Sequence, residues 1–488
     1  MDGKSELSMS ENGFNDPGIN PLAAERAAML EHVSSLVLCH LNEVNTLPIA
    51  PIATPAQMRE RIAGYDFAGP LPWAEVLDDA AAMLNEWNLH TQHRRHFGLF
   101  NPRPAYSAVL GDMLSAAYNP QLAAWSHAPG AVEIEAHLIR YLGSLVGYPA
   151  DAAAGSFTSG GAEANLTGLL LALSRRFPAI AEGGVRALSG RPVFYASAES
   201  HLAWLKIAHS TGLGRDAVRL VPVDRALRMD VRELGYMIEA DAAAGHLPFL
   251  VAGTAGTTSA GVVDPLPDIA RTAREHGLAF HVDAAWGGAA LVSPKLRGVL
   301  VGIEQADSVT IDAHKWLSVP LGAGVFVCRD LEGLRRAFRV SAAYMPAAVD
   351  ETVDPYSSSN QWSRRFVGLR LFTALAVSGR PGFASMVEHQ SAMGERLRLL
   401  LVRAGWRLVN TTALPVVCFT GRGLDTGQDA ATRLERVAAR VVERGNCWIS
   451  ATRLNGQPAL RACVTSFETT ESDVAALVRE LDEVLAER

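Results

Sequence analysis

A histidine and a lysine, His314-Lys315, follow the apolar run Asp307-Ser308-Val309-Thr310-Ile311, and the acid Asp283 closes an earlier run, His281-Val282-Asp283. Lys315 lies 32 residues after Asp283, about one helix-plus-strand unit, which predicts neighbouring strand ends for the two. An amine able to form an imine, beside a carboxylate able to keep a pyridine nitrogen protonated, is the pair that pyridoxal phosphate (PLP) requires. Three further groups suit the same ligand. The turn Thr158-Ser159-Gly160-Gly161-Ala162-Glu163-Ala164-Asn165 opens a helix and offers backbone amides and a positive dipole end to an anion. His201 follows the strand ending at Ala196, where an imidazole can stack on a flat ring. Thr254, in Gly253-Thr254-Ala255-Gly256-Thr257-Thr258, ends another strand with small hydroxyl residues that can approach that ring.

These groups need a sheet to hold them. Strands are expected at Arg191 to Ala196, Ala217 to Val223, Phe249 to Thr254, Leu278 to Asp283, Ser308 to Asp312 and Gly324 to Cys328, with helical segments between the first five. Near-continuous apolar strands alternating with helices indicate an α/β fold around a mostly parallel sheet covered on both faces. The last two strands are joined by a segment too short for a helical crossover, so that pairing is expected to be antiparallel and at the sheet edge. Residues 1–20 read as a polar, frayed tail without the basic and apolar regions of a signal peptide. Residues 21–95 form an N-terminal helical segment with apolar positions at Leu30, Val33, Val37, Leu41 and Val44, expected to pack on a second subunit. The large PLP-binding domain is then expected over 96–378. A small domain follows over 379–488, opening at Arg380-Pro381-Gly382, with long helices and a few short strands at Val416 to Thr420 and Ala459 to Val464.

Composition narrows the function classes. Apolar residues make up 49% and charged residues 19%, enough for sizeable cores. A net charge of −7 argues against nucleic acid as the main partner. Cys39, Cys328, Cys418, Cys447 and Cys463 show no metal-ligand spacing, and no metal is expected. Three of them lie in apolar β-like runs and read as small buried hydrophobes in a reduced, cytoplasmic protein. No apolar run approaches membrane-spanning length.

Taken together, the text Thr-Ser-Gly-Gly-x-Glu-Ala-Asn at Thr158 to Asn165, Ser-x-x-Ser-His at Ser197 to His201, Gly-Thr-x-Gly-Thr-Thr at Gly253 to Thr258, His-Val-Asp-Ala-Ala at His281 to Ala285 and His-Lys-Trp at His314 to Trp316 resembles the group II PLP-dependent amino-acid decarboxylases. The resemblance runs from about Trp73 to the C-terminus and includes the aromatic L-amino-acid decarboxylases. It implies fold type I (aspartate aminotransferase-like) and decarboxylation of an L-amino acid to its amine. In it Lys315 carries the Schiff base, Asp283 pairs with the ring nitrogen, His201 stacks on the ring, and Thr254 and Ala285 lie close to the cofactor. Gly161 and Ala162 bind the phosphate, with His314 beside the lysine. Two departures stand out. Ala162 replaces the family's frequent Ser or Thr, losing a hydroxyl contact to phosphate, and Asp312-Ala313 replaces Asn-Pro, putting an acid near that phosphate.

The resemblance also implies a mobile loop from Ala337, whose Tyr344 protonates Cα after CO₂ leaves, ahead of an Arg364-Arg365-Phe366 segment. Retention of Tyr344 and His201 favours the amine over the aldehyde made by oxidative aldehyde synthases on the same fold; a non-catalytic PLP-fold protein is the remaining alternative. Phe97, Phe100 and Trp125 match the family's substrate-pocket region and imply an aromatic or bulky apolar side chain, whereas Arg103 offers an alternative, an acidic one. A homodimer with the active site at the subunit interface is implied as well.

Overall fold

The computed structural model describes residues 19–51, 53–149, 151–340, 345 and 349–487. Five helices come first: α1 (Ala23–Glu43), α2 (Pro55–Ile62), α3 (Trp73–Trp87), α4 (Tyr106–Tyr118) and α5 (Pro129–Val146). The first three of these, α1 to α3, lie in the expected N-terminal helical segment, and the apolar positions Leu30, Val33, Val37 and Leu41 fall on α1. Neither α1 nor α3 buries a residue fully; they lean on each other through His32–Asp78 (2.7 Å) and His40–Asn85 (2.8 Å).

A seven-stranded sheet follows, built from β1 (Ala154–Thr158), β2 (Pro192–Ser197), β3 (Val218–Val221), β4 (Leu247–Thr254), β5 (Ala279–Asp283), β6 (Ser308–Asp312) and β7 (Gly324–Cys328). Its order is β1-β7-β6-β5-β4-β2-β3, and β7 alone runs against the others. The strands are almost wholly buried, as a parallel sheet covered on both faces requires. The expected antiparallel β6–β7 pairing is present, but β7 is not at the edge. β1 covers it, and β1 reads poorly as a strand because its sequence is Ala-Gly-Ser-Phe-Thr. Gly155 is there for close approach: a Cβ on it would lie 2.0 Å from the Phe326 carbonyl oxygen.

That strand positions the site. β1 runs straight into α6 (Gly161–Arg176), and both Thr158 of β1 and Asp312 of β6 pair with Gly324 of β7. The helix start is thereby brought beside the segment carrying His314 and Lys315. A helix over Gly368–Arg403 then leads to a second, antiparallel sheet of β8 (Trp406–Leu408), β9 (Val416–Gly421), β10 (Ser450–Leu454) and β11 (Gln457–Cys463), in the order β10-β11-β9-β8. The long helix breaks at Gly379 (φ 62°), just before Pro381, which has no N–H to continue the ladder. Cys328, Cys418 and Cys463 are buried, unpaired strand residues. No helix among the described residues is long and apolar enough to cross a membrane.

Candidate active site

The C-terminal ends of adjacent strands present the chemistry. Thr254 ends β4, Asp283 ends β5 opposite it, and Asp312 ends β6, three residues before Lys315. One cleft is lined by Gly161, Ala162, His201, Thr254, Asp283, Ala285 and Lys315, together with Asn165, Trp286 and Asp312. Of the residues expected around the cofactor, only His314 stands back from this lining. Its Nδ1 accepts from the Ala323 amide (3.2 Å) and burial holds its imidazole below the usual range.

The residues fit PLP. At one end Asp283 is buried, and its carboxylate accepts from Asn165 Nδ2 (2.8 Å) and from the Ala285 amide (3.1 Å). Asn165 Oδ1 lies 3.0 Å from His281 Nε2, and His281 Nδ1 lies 2.8 Å from Ser308 Oγ. At the other end is the start of α6, where the first amides with a backbone acceptor are those of Glu163 and Ala164, on the Gly160 carbonyl (both 3.1 Å). The amides of Gly161 and Ala162 precede them, in the part of a helix that has no internal partner and attracts anions. Gly161 must lack a side chain: a Cβ there would lie 2.7 Å from Asp312 Oδ2 and 3.1 Å from Ala285 Cβ.

Between the two ends stands Lys315, its Nζ 2.9 Å from Asp312 Oδ2. The sequence could not place the Asp312 side chain. It is buried, packed against the first turn of α6, and its Oδ1 has no hydrogen-bond partner among the described residues. His201 is exposed at the cleft, with Nδ1 accepting from the Ala203 amide (3.1 Å). Partial desolvation holds its imidazole below the usual value; Lys315 adds to this and Asp283 opposes it.

The expected substrate wall is only partly there. Phe100 stacks on Trp286 (4.7 Å between centroids), which lines the cleft and stacks in turn on Trp316 (4.9 Å). Phe97 is a correction: it is fully buried in the core of the second sheet with Trp406 and Phe419 and cannot touch a ligand. Trp125 also lies outside the cleft of its own chain, packing near Leu122 and Phe366 and donating from Nε1 to Glu133 (2.9 Å). Arg103 is occupied by Glu468 (2.8 Å) and the Leu41 carbonyl (2.7 Å), which removes it as the receptor of an acidic substrate. Tyr344 lies outside the described residues. Two groups escaped the sequence reading. Trp286 directly follows a quoted motif. Arg461 sits in β11, buried under the face of Phe100 (4.9 Å) and bound to the carbonyls of Thr258 (3.0 Å) and Gly98 (2.9 Å). A lone arginine inside the apolar run Ala459 to Val464 was the signal that could have found it.

Several known proteins resemble this chain. The family profile described as the pyridoxal-dependent decarboxylase conserved domain matches residues 55–422. An aromatic-L-amino-acid decarboxylase of Bacillus atrophaeus is 27% identical over 94% of this chain and 95% of its own length. The mouse (Mus musculus) cysteine sulfinic acid decarboxylase is 32% identical over 84% of this chain and 85% of its own. A crystal structure of mouse CSAD superposes with a TM-score of 0.89 at 28% identity, covering 95% of this chain and 99% of that one.

Proposed function

The chain belongs to the pyridoxal-dependent decarboxylases, PLP-dependent carboxy-lyases acting on amino acids, and we propose that its substrate is an L-amino acid with an aromatic or bulky apolar side chain, released as the amine. The observation that carries this reading is the meeting of Lys315, Asp283 and the first turn of α6 in one cleft walled by Trp286. Bound there, PLP supplies the electron sink for the pair left when the Cα–carboxylate bond breaks. The protein does the rest. Lys315 provides the amine that anchors the cofactor, and Asp283 keeps a proton on the ring nitrogen. The Gly161 and Ala162 amides would hold the phosphate, with His314 beside the lysine, while His201, Thr254 and Ala285 would hold the ring. Arg461, buried beside the cleft, holds the carbonyl of the cleft residue Thr258 in place. The orientation in which the cleft residues held the substrate would favour loss of CO₂ over other reactions at Cα. Tyr344 then delivers a proton to Cα. The Phe100–Trp286 stack favours a flat or bulky side chain, and the engagement of Arg103 by Glu468 speaks against an acidic one.

The test is CO₂ release by the PLP-loaded protein across a panel of L-amino acids, with amine, aldehyde and peroxide read from the same wells. CO₂ and amine from aromatic substrates are expected. Preference for L-cysteine sulfinate would overturn the substrate class, and stoichiometric peroxide with aldehyde would remove the role given to Tyr344.

A two-fold homodimer is part of the same proposal. The helix α4 exposes Tyr106, Leu110, Met113, Leu114 and Tyr118, and α1 exposes Leu30 and Leu38, a surface that a second copy would cover. A monomer by sedimentation at micromolar concentration would overturn it.

A further inference from the structure

His281 is wholly buried, does not line the cleft, and has no part in the chemistry above. Yet the fold makes a fitted place for it. Gly168 of α6 leaves the space, since a Cβ there would lie 2.7 Å from Nδ1. Trp204 meets the ring edge-on at 5.8 Å, and Phe326 lies parallel to it at 6.4 Å. Both ring nitrogens are engaged, Nδ1 with Ser308 Oγ (2.8 Å) and Nε2 with Asn165 Oδ1 (3.0 Å); Thr310 Oγ1 is a longer neighbour of Nε2 at 3.3 Å. Beyond Asn165 the line continues to Asp283 (2.8 Å).

We propose that His281 is a positioning residue: as the Nε2–H tautomer it turns the Asn165 amide so that its NH₂ group faces Asp283, and thereby fixes the carboxylate that holds the ring nitrogen of the cofactor. The proposal rests on the PLP reading of the cleft. The hydrogen count decides the tautomer. Burial pushes the imidazole down to about 4, so at neutral pH it carries one N–H. With that hydrogen on Nε2, the ring donates to Asn165 Oδ1, Nδ1 accepts from the Ser308 hydroxyl, and the Asn165 NH₂ donates to Asp283. Every group is satisfied. With the hydrogen on Nδ1, Nε2 becomes an acceptor and claims the Asn165 NH₂. The amide oxygen would then face the buried Asp283 carboxylate, two acceptors in contact, an arrangement buried polar groups avoid. His281 thus decides, two residues away, whether Asp283 meets a donor or an acceptor.

Two experiments test this on the whole protein. The first is nitrogen NMR of histidine-labelled holoprotein at neutral pH, with the His281 signal assigned by its loss in His281→Gln. An Nε2–H imidazole is expected; an Nδ1–H imidazole or an imidazolium overturns the proposal. The second compares variants. His281→Phe fills the space without a donor. It is expected to weaken PLP binding by about tenfold and to shift the absorption of the bound cofactor towards the form with an unprotonated ring. His281→Gln, whose amide can donate to the same Asn165 oxygen, is expected to restore both readouts, which repacking alone would not do. Wild-type affinity and spectrum in His281→Phe overturn the proposal. If that variant does not fold, the NMR result decides alone. Failure of the wild type to take up PLP would instead refute the cofactor reading, and the tautomer remains measurable without cofactor.

Discussion

The two ends of the cleft are built on opposite terms. At the Asp283 end each polar atom has its partner: Ser308, His281, Asn165 and Ala285 hold the carboxylate in a buried, closed chain of hydrogen bonds. At the α6 end Asp312 is buried with one oxygen unpartnered among the described residues, its other oxygen 2.9 Å from Lys315, beside amides that the helix itself does not use. The first end is finished by folding. The second keeps the amides of Gly161 and Ala162 open to an anion, because unsatisfied groups concentrate where binding must complete them. A carboxylate next to an anion site would oppose the phosphate proposed there, so an amide side chain at position 312 is expected to hold the cofactor more tightly.

The largest effect should come from the group standing between the two ends. Lys315→Ala is expected to abolish CO₂ release and to leave PLP removable by dialysis, while the Asp283 end stays intact. Residual turnover would transfer the anchoring role to another amine. A smaller effect separates the ends more sharply. Asp312→Asn keeps the shape and removes one negative charge beside the phosphate position. Like charges about 5 Å apart repel by roughly 3 kcal/mol at an effective dielectric near 20, of which the Lys315 pair offsets a part. A gain of about tenfold in the affinity of the cofactor-free protein for inorganic phosphate is therefore expected by calorimetry. An unchanged or weaker affinity would mean that Asp312 does not face the phosphate, and the contrast between the ends would fail.

The same contrast explains what could be read in the sequence. Lys315, Asp283 and Thr254 were legible because each closes, or closely follows, an apolar run, and parallel strands end at the ligand side. Asp312 was visible as a departure, but the direction of its side chain depends on α6, which is brought in by a strand the pattern concealed. β1 owes that concealment to Gly155 and its small polar neighbours, so β7 was taken for an edge. Phe97 was misplaced because an apolar residue does not announce which of two cores it will enter. Arg103 was left open because its acid, Glu468, lies 365 residues away, and Arg461 escaped because its strand otherwise reads as plain core.

A buried acid at a third place shows how finely the finished end is set. Asp264 is fully enclosed and accepts from the amides of Met229 and of Thr254, the residue that ends β4 at the cleft (both 2.8 Å). Burial raises its carboxyl to about 6, from an ordinary 3.8. The folded protein therefore binds a proton that the unfolded chain has already released, and stability falls as pH rises through this window, by roughly 3 kcal/mol in total. His93 and His281, both held near 4 by burial, pull the other way, gaining stability as pH rises towards their ordinary value. Both are present in Asp264→Asn, so the difference between the two proteins isolates Asp264. The variant cannot accept from both amides, because its NH₂ faces one of them, which costs about 1–3 kcal/mol. In denaturant titrations at a series of pH values, wild type should exceed Asp264→Asn most at the acid end, and the gap should narrow towards neutrality. Parallel curves would mean that Asp264 stays ionised throughout, and that the end of β4 is held by a permanent charge.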